Sequence, residues 1–322
     1  MLRKISAVVL PTILAVAIVA FMLARVWDDL LIALDHAVYS YLLLAVVICI
    51  GAWFLRGWRY LYILSSLAVT VSLWLSTACI YLSQTANLIV PARLGDLIRI
   101  FVLHHEVDAK YSESLSSIVV ERFFDIITVA LLGALALPFV LNVPDWFVTI
   151  IYAAIILCGV FVVFLLFAGR FESGNKYLAM GLRLIAQVRA ASLSVASVTI
   201  LSASSIAIWI TDIVICYVIA LMFGTSVPFI IVALAIVIGN LVKAVPVTPG
   251  GIGTYELAVA LTLGLGGVTP AIATLIAVID HLVKNLVTLA GGIVSLSLFG
   301  GWSVDLMRRA FSRSLDTEEV AK

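Results

Sequence analysis

Two apolar stretches of this 322-residue chain are each broken by a run of proline, glycine and charged residues. The first break reads NLIVPARLGDLIRI, and its candidate ligand-binding residues are Asn87, Pro91, Arg93, Gly95, Asp96 and Arg99. A break in a helix exposes backbone N–H groups where the helix resumes, and such groups attract anions. Arginine can hold a phosphate through two parallel N–H donors. The pattern predicts an anion site; the alternative is that Arg93 and Arg99 only extend to the membrane interface.

The second break, VPVTPGGIGTYEL, begins at Val245 and contains three glycines and a glutamate. Its candidate residues, with an asparagine from the preceding helix, are Asn240, Thr248, Pro249, Gly250, Gly251, Gly253 and Glu256. Glycine lets a ligand approach the backbone closely. Irregular backbone at membrane depth occurs only where it is buried in protein or lines a wet cavity. The alternative is an ordinary loop outside the membrane.

Ionisable residues also lie inside the apolar segments that follow the breaks. VVERFFDII and VIDHLVKNL carry Glu121, Arg122, Asp125, Asp280, His281 and Lys284. Glu121 and Asp125 are four residues apart and so share one helix face, as do Asp280 and Lys284. Each such residue costs about 2.5–3.5 kcal/mol on membrane-insertion scales, which makes it a functional candidate. The alternative is a set of ion pairs that only locks helices together.

A further polar stripe contains Ser202, Ser205, Trp209 and Asp212. Its helical spacing predicts that one face of that helix looks inward, to protein or water. Asp212 is a candidate pathway residue, and a structural hydrogen bond is the alternative.

The elements that must position these residues are membrane helices. The chain is 64% hydrophobic and 11% charged, whereas soluble domains carry roughly 25% charged residues. We expect an all-α polytopic membrane protein with six full spans near 5–25, 39–58, 114–140, 146–168, 193–223 and 270–299. The broken stretches 67–103 and 228–265 each end in an arm too short to cross hydrocarbon, which predicts two re-entrant hairpins. A surface helix is expected within 169–192.

The order of spans and breaks repeats along the chain. Residues 1–140 and 146–300 each contain three crossings and one hairpin, which predicts an inverted repeat. Residues 301–322 form a short tail. Lys and Arg in loops, with Arg56 and Arg59 among them, place both termini on the cytoplasmic side of a plasma membrane.

The motifs resemble one known family. P-x-R-x-G-D-x-x-R, then E-R-x-x-D, then P-x-T-P-G-G-x-G-x-x-E are similar to the flippase-like membrane domain family, which includes the transmembrane region of lysylphosphatidylglycerol synthase. The resemblance covers roughly residues 5–300. It assigns family positions to Pro91, Arg93, Gly95, Asp96, Arg99, Glu121, Arg122, Asp125, Pro246, Thr248, Pro249, Gly250, Gly251, Gly253 and Glu256. Many relatives have arginine in the last charged helix, where this chain has DHLVKN, so that role does not transfer to His281 or Lys284.

The resemblance implies translocation of an anionic lipid or a polyprenyl-phosphate-linked head group. A secondary transporter of a small soluble anion is one alternative. A non-transporting membrane partner of a glycosyltransferase or lipid synthase is another. We expect no enzyme activity, because neither an aminoacyl-transfer domain nor a fused glycosyltransferase is recognisable in the sequence. We also expect no cofactor or metal, no nucleic-acid partner, and a membrane lipid as the ligand.

Overall fold

A computed structural model describes residues 2–89, 95–139, 145–168, 176–244 and 247–299. These residues form α-helices and short 3₁₀ turns, and no strand occurs among them. The helices are α1 (Leu2–Ala24), α2 (Trp27–Asp35), α3 (Ser40–Ser66), α4 (Leu73–Ile89), α5 (Ile98–Val107), α6 (Tyr111–Ala136), α7 (Asp145–Ala168), α8 (Lys176–Ser192), α9 (Val195–Met222), α10 (Phe229–Ala244), α11 (Thr254–Leu265) and α12 (Pro270–Phe299).

The six predicted spans coincide with α1, α3, α6, α7, α9 and α12. Within the described ranges, three helices are long and apolar enough to cross a membrane, namely Ser40–Ser66, Val195–Met222 and Pro270–Ser297. The expectation of an all-α polytopic membrane protein is confirmed.

Both predicted helix breaks are present. α4 ends at Ile89 and α5 begins at Ile98, while α10 ends at Ala244 and α11 begins at Thr254. The second arms, α5 and α11, have 10 and 12 residues. At 1.5 Å per residue they are about 15 and 18 Å long, which is well short of a hydrocarbon core about 30 Å thick.

The structure corrects the placement of Arg56 and Arg59, which are expected as loop charges from the sequence. α3 continues to Ser66, so both arginines lie within the helix. The helix continues because the residues after Arg59 pack inward, and Tyr60, Ile63 and Leu64 are fully buried.

Two of the polar segments between the predicted spans form helices, α2 and α8. The acidic segment after α1 forms the nine-residue helix α2, which is not expected from the sequence. The expected helix within 169–192 is α8, and Gln187 attaches it to α6 by accepting a hydrogen bond from Ser116 Oγ at 3.0 Å.

The chain divides into two compact units. The first contains Met1–Ile50, Tyr81–Ile98 and Ile213–Lys322, and the second contains Gly51–Ile80 and Arg99–Asp212. The expected inverted halves, 1–140 and 146–300, stay a prediction, and the tail 301–322 lies outside the described residues.

Close helix packing in the first unit depends on glycines. A Cβ atom at Gly239 of α10 would lie 2.6 Å from Val259 Cγ2 and 2.9 Å from Tyr255 of α11. A Cβ atom at Gly291 of α12 would lie 2.1 Å from the ring of Tyr81 in α4. α10 thus packs on α11, and α4 packs on α12, at positions where only glycine fits.

We expect Gly239→Ile to destabilise the protein by about 1–3 kcal/mol, because the added side chain overpacks the contact between α10 and α11. Thermal unfolding in detergent measures the effect. Gly159→Ile is the matched control, since a Cβ atom there has no neighbour within 4 Å. Equal melting temperatures for the two variants would contradict this packing.

Candidate functional site: two buried charge clusters

The side chain of Arg59 forms the centre of a charge cluster in the second unit. Arg59 is 3% exposed. Its Nη1 donates to Asp125 Oδ1 at 2.6 Å and to Ser205 Oγ at 2.8 Å, and its Nη2 lies 3.5 Å from Glu121 Oε1. Glu121 and Asp125 therefore face the same guanidinium, as their spacing of four residues predicts. The arginine joins α3 to α6 and α9.

A second guanidinium in this cluster belongs to Arg99 of α5. It is fully buried, pairs with Glu121 Oε2, and lies 5.0 Å from the centre of the Tyr60 ring. The structure thus excludes the alternative in which Arg99 extends to the membrane interface. Because Glu121 also contacts Arg59, this carboxylate bridges two arginines of different helices.

The edge of the cluster is partly exposed. Arg56 donates to both carboxylate oxygens of Asp212, at 2.7 and 2.6 Å. Arg122 Nη1 lies 3.7 Å from Asp125 Oδ2, and the side chain of Arg122 is 26% exposed. We call these residues the arginine cluster, which comprises Arg56, Arg59, Arg99, Glu121, Arg122, Asp125 and Asp212.

Arg56 and Arg59 are the residues of this cluster that sequence reasoning assigned to topology alone. Their spacing of three residues places them on one helix face, and this is the signal that could have identified them. Ser205 and Asp212 lie on the predicted inward stripe of α9, which in the structure faces these two arginines. Asp212 forms an ion pair with Arg56 of another helix, a partner that the sequence does not predict.

A linear chain of hydrogen bonds runs through a cluster in the first unit. Lys243 Nζ donates to His281 Nε2 at 3.1 Å, and His281 Nδ1 lies 2.7 Å from Glu256 Oε1. An ammonium group can only donate, so Nε2 accepts and Nδ1 carries the proton that it donates to Glu256. Glu256 Oε2 accepts the backbone N–H of Gly253 at 2.7 Å. The chain therefore connects a lysine to the start of α11.

Tyr255 and Asp280 extend this cluster. The Tyr255 hydroxyl donates to Asp280 Oδ2 at 2.7 Å, and Lys284 Nζ donates to the same oxygen at 2.9 Å. The rings of Tyr255 and His281 are tilted and 4.5 Å apart. We call Lys243, Tyr255, Glu256, Asp280, His281 and Lys284 the lysine–histidine cluster. Lys243 is the member that sequence reasoning missed; it lies in the last turn of α10, directly before the break.

The start of α11 already holds an anion, the side chain of Glu256. This differs from the sequence-based hypothesis, in which N–H groups at this break bind a substrate phosphate. Gly250, Gly251 and Gly253 have positive φ angles of 62°, 77° and 85°, so each adopts backbone that favours glycine. Protein atoms fill the space beside them: a Cβ atom at Gly251 would lie 2.7 Å from Lys243 Cγ.

The other candidates at the second break have local partners. Thr248 Oγ1 lies 3.2 Å from Thr254 Oγ1, and Asn240 Nδ2 donates to Ile236 O one turn earlier. Pro249 begins the 3₁₀ turn Pro249–Gly251. A Cβ atom at Gly250 would lie 3.5 Å from Leu88 O, so the second break lies against the end of α4.

Asp96 organises the described part of the first break. It accepts hydrogen bonds from Ser83 Oγ at 2.6 Å and from Asn87 Nδ2 at 2.9 Å. A Cβ atom at Gly95 would lie 2.5 Å from Ser83 O, so this turn packs directly on α4.

Pro91, Arg93 and Pro246 lie outside the described residues. Where side chains are described, no group of three or more His, Cys, Asp or Glu could hold a metal ion.

We expect Arg59→Met to destabilise the protein by about 3–5 kcal/mol, because Asp125 and Glu121 would lose a buried cation. Lys110→Met is the control within the same unit, since the Lys110 side chain is 79% exposed and such a surface ion pair is worth about 0–1 kcal/mol. Chemical or thermal unfolding in detergent measures both. If Arg59→Met melts like the control, the arginine cluster does not hold the unit together.

We expect Tyr255→Phe to cost about 1.5–3 kcal/mol, because it removes a hydrogen bond to a buried carboxylate. Tyr39→Phe removes an exposed hydroxyl that donates to Leu34 O at 2.9 Å, and serves as the control. The comparison of unfolding midpoints tests the prediction. Indistinguishable midpoints would show that Asp280 is satisfied without Tyr255.

Comparisons with known proteins agree with this architecture. A family model described as the lysylphosphatidylglycerol synthase TM region matches residues 12–292. The glycosyltransferase AglD of Haloferax volcanii is 32% identical over 341 aligned residues, which cover 91% of this chain and 54% of AglD. A UPF0104 membrane protein of Methanothermobacter thermautotrophicus is 27% identical over 96 residues, or 30% of this chain and 28% of that protein.

The chain thus spans about half the length of AglD and a smaller share of the second relative. No solved structure matches it at a significant level. Because the family match extends over most of the sequence, this chain belongs to the family of the lysylphosphatidylglycerol synthase transmembrane region.

Proposed function

We propose that this protein is a flippase-like transporter that moves an anionic lipid, or a polyprenyl-phosphate-linked head group, across the membrane. The observation that carries the proposal is the arginine cluster itself, in which four guanidinium groups lie together and Arg122 occupies the partly exposed edge. Ionisable side chains in membrane helices are costly and mark pathways for polar substrates. A guanidinium group recognises phosphate through paired N–H donors.

The distances around Asp125 make Arg122 the best candidate for the phosphate. Asp125 lies 2.6 Å from Arg59 and 3.7 Å from Arg122. Asp125 therefore keeps its closer partner when Arg122 turns toward a ligand. Arg59 and Arg99, which are buried and closely paired, hold the cluster together.

The lysine–histidine cluster supports the same proposal. Lys284 is 19% exposed and pairs with Asp280 at 2.8 Å. It supplies a second partly accessible cation within membrane helices, beside the carboxylates that neutralise it at rest. In this proposal Glu256 and Asp280 position the cations, and the polar groups at the breaks let a head group pass while its chains stay in lipid.

The family also favours a lipid substrate, because its description names a synthase of a phospholipid. We further propose a plasma-membrane location with both termini in the cytoplasm, as the distribution of loop charges indicates.

We expect Arg122→Gln to lower the scrambling of fluorescent phosphatidylglycerol in liposomes by about 10- to 100-fold. A hydrogen bond to a charged group is worth about 1.5–3 kcal/mol, and each 1.4 kcal/mol is tenfold. The melting temperature should stay near that of the unchanged protein, because Asp125 retains Arg59. Arg122→Lys should recover part of the activity, and Lys110→Gln should have none of the effect.

A collapsed melt for Arg122→Gln would assign this residue to structure, and normal scrambling would remove it from the pathway. Fluorescent phosphatidylcholine and a labelled polyprenyl phosphate identify the preferred head group. Uptake of inorganic phosphate, without lipid scrambling, would favour the transporter of a soluble anion.

A role in glycosyl transfer is the second candidate, and the similarity to a glycosyltransferase, AglD, is the observation that favours it. The test is incubation of the purified chain with a nucleotide-activated sugar and a polyprenyl phosphate. Sugar transfer by the chain alone would make it an enzyme. Co-purification of a glycosyltransferase, with no scrambling by the chain alone, would make it a membrane partner of that enzyme.

A further inference from the structure

A cavity of about 920 Å³ lies in the first unit, among α1, α2, α11 and the beginning of α12. None of the residues selected from the sequence lines it. Its volume falls within the range of about 300–1,000 Å³ that is usual for pockets binding small organic ligands. Apolar side chains form most of the wall, among them Phe21, Met22, Leu257 and Leu261.

Small residues on one face of α11 create this space. Ala260 and Gly264 are four residues apart, so they lie above one another on the helix. A Cβ atom at Gly264 would have no neighbour within 4 Å. At the wall, Phe21 and Leu261 are 60% and 65% exposed. Exposed apolar side chains in a membrane protein lie against lipid chains, so the cavity offers an apolar entry for one such chain.

Polar groups line the same cavity. They are Arg25 directly after α1, Asp29 in the first turn of α2, His36 after α2, Thr269 before α12 and Thr274 within α12. The Arg25 guanidinium lies 5.0 Å from the centre of the Phe21 ring, so the cation borders the apolar wall. The first turn of α12 also lines the cavity, and its positive dipole end adds to the attraction for an anion.

We propose that this cavity binds a phosphate-bearing amphiphile, with one hydrocarbon chain along Ala260 and Gly264 and the phosphate at Arg25. Asp29 then accepts a hydrogen bond from a hydroxyl or ammonium group of the same head group, because an ionised carboxylate can only accept. The apolar wall disfavours a small soluble anion, and the cation disfavours a purely apolar occupant. The inference rests on the proposed function only in taking a membrane lipid as the occupant.

The probe for this site is dodecyl phosphate, which has one chain and one phosphate. Binding to the purified 322-residue chain in a neutral detergent is measured by native mass spectrometry. All measurements use the Arg122→Gln background, so phosphate binding at the edge of the arginine cluster does not contribute. The binding result therefore tests the cavity independently of the outcome of the translocation assay.

We expect saturable binding of dodecyl phosphate, which Gly264→Trp weakens by at least about tenfold because the indole fills the space. Arg25→Gln should also weaken binding by about tenfold, through loss of a charged partner. Gly159→Trp is the matched control, since a Cβ atom there also meets open space. It should bind like the Arg122→Gln parent.

Three outcomes would overturn the inference. The first is unchanged affinity in Gly264→Trp, which would place the amphiphile elsewhere. The second is equal competition by dodecyl maltoside, which would remove the role of the phosphate. The third is equally tight binding of inorganic phosphate, which would remove the role of the chain. Melting temperatures of each variant near that of the parent show that the fold is retained.

Discussion

The guanidinium of Arg59 must be neutralised inside the protein, because water and lipid offer it no partner there. Asp125 and Glu121 of α6 supply the negative charge, and Ser205 of α9 supplies a further acceptor. One side chain from α3 thereby fixes two other helices of its unit. Helices in a membrane gain little from hydrophobic association with one another. Buried polar contacts of this kind therefore carry much of the specificity of packing.

The same requirement shapes the first unit, where the carboxylates of Glu256 and Asp280 are buried. Asp280 accepts from Tyr255 and Lys284, and Glu256 accepts from His281 and from the backbone of Gly253. Each carboxylate thus has one partner on its own helix or helix end and one on another helix. The groups that hold these helices together are also the groups to which the proposed function assigns the substrate, so a structural role does not exclude a functional one.

Much of this architecture could be predicted from local sequence. Proline and glycine mark both breaks, apolar length marks the spans, and spacing of four residues correctly pairs Asp280 with Lys284. Contacts between helices could not be predicted in this way. Arg59 and Asp125 are 66 residues apart, and Arg56 and Asp212 are 156 apart. No local pattern specifies such partners. The cavity beside Gly264 could not be predicted from the sequence either, because no sequence motif marks a space that small side chains leave between helices.

The carboxylate of Glu256 at the start of α11 has a consequence for kinetics. A phosphate arriving at this helix end would compete with a ligand tethered three residues away, whose effective concentration is high for any short connection. The tethered carboxylate would shorten the residence time of the phosphate without changing its route. In the proposed transporter, such competition would favour release of the phosphate, whereas an uncapped helix end would hold it more tightly.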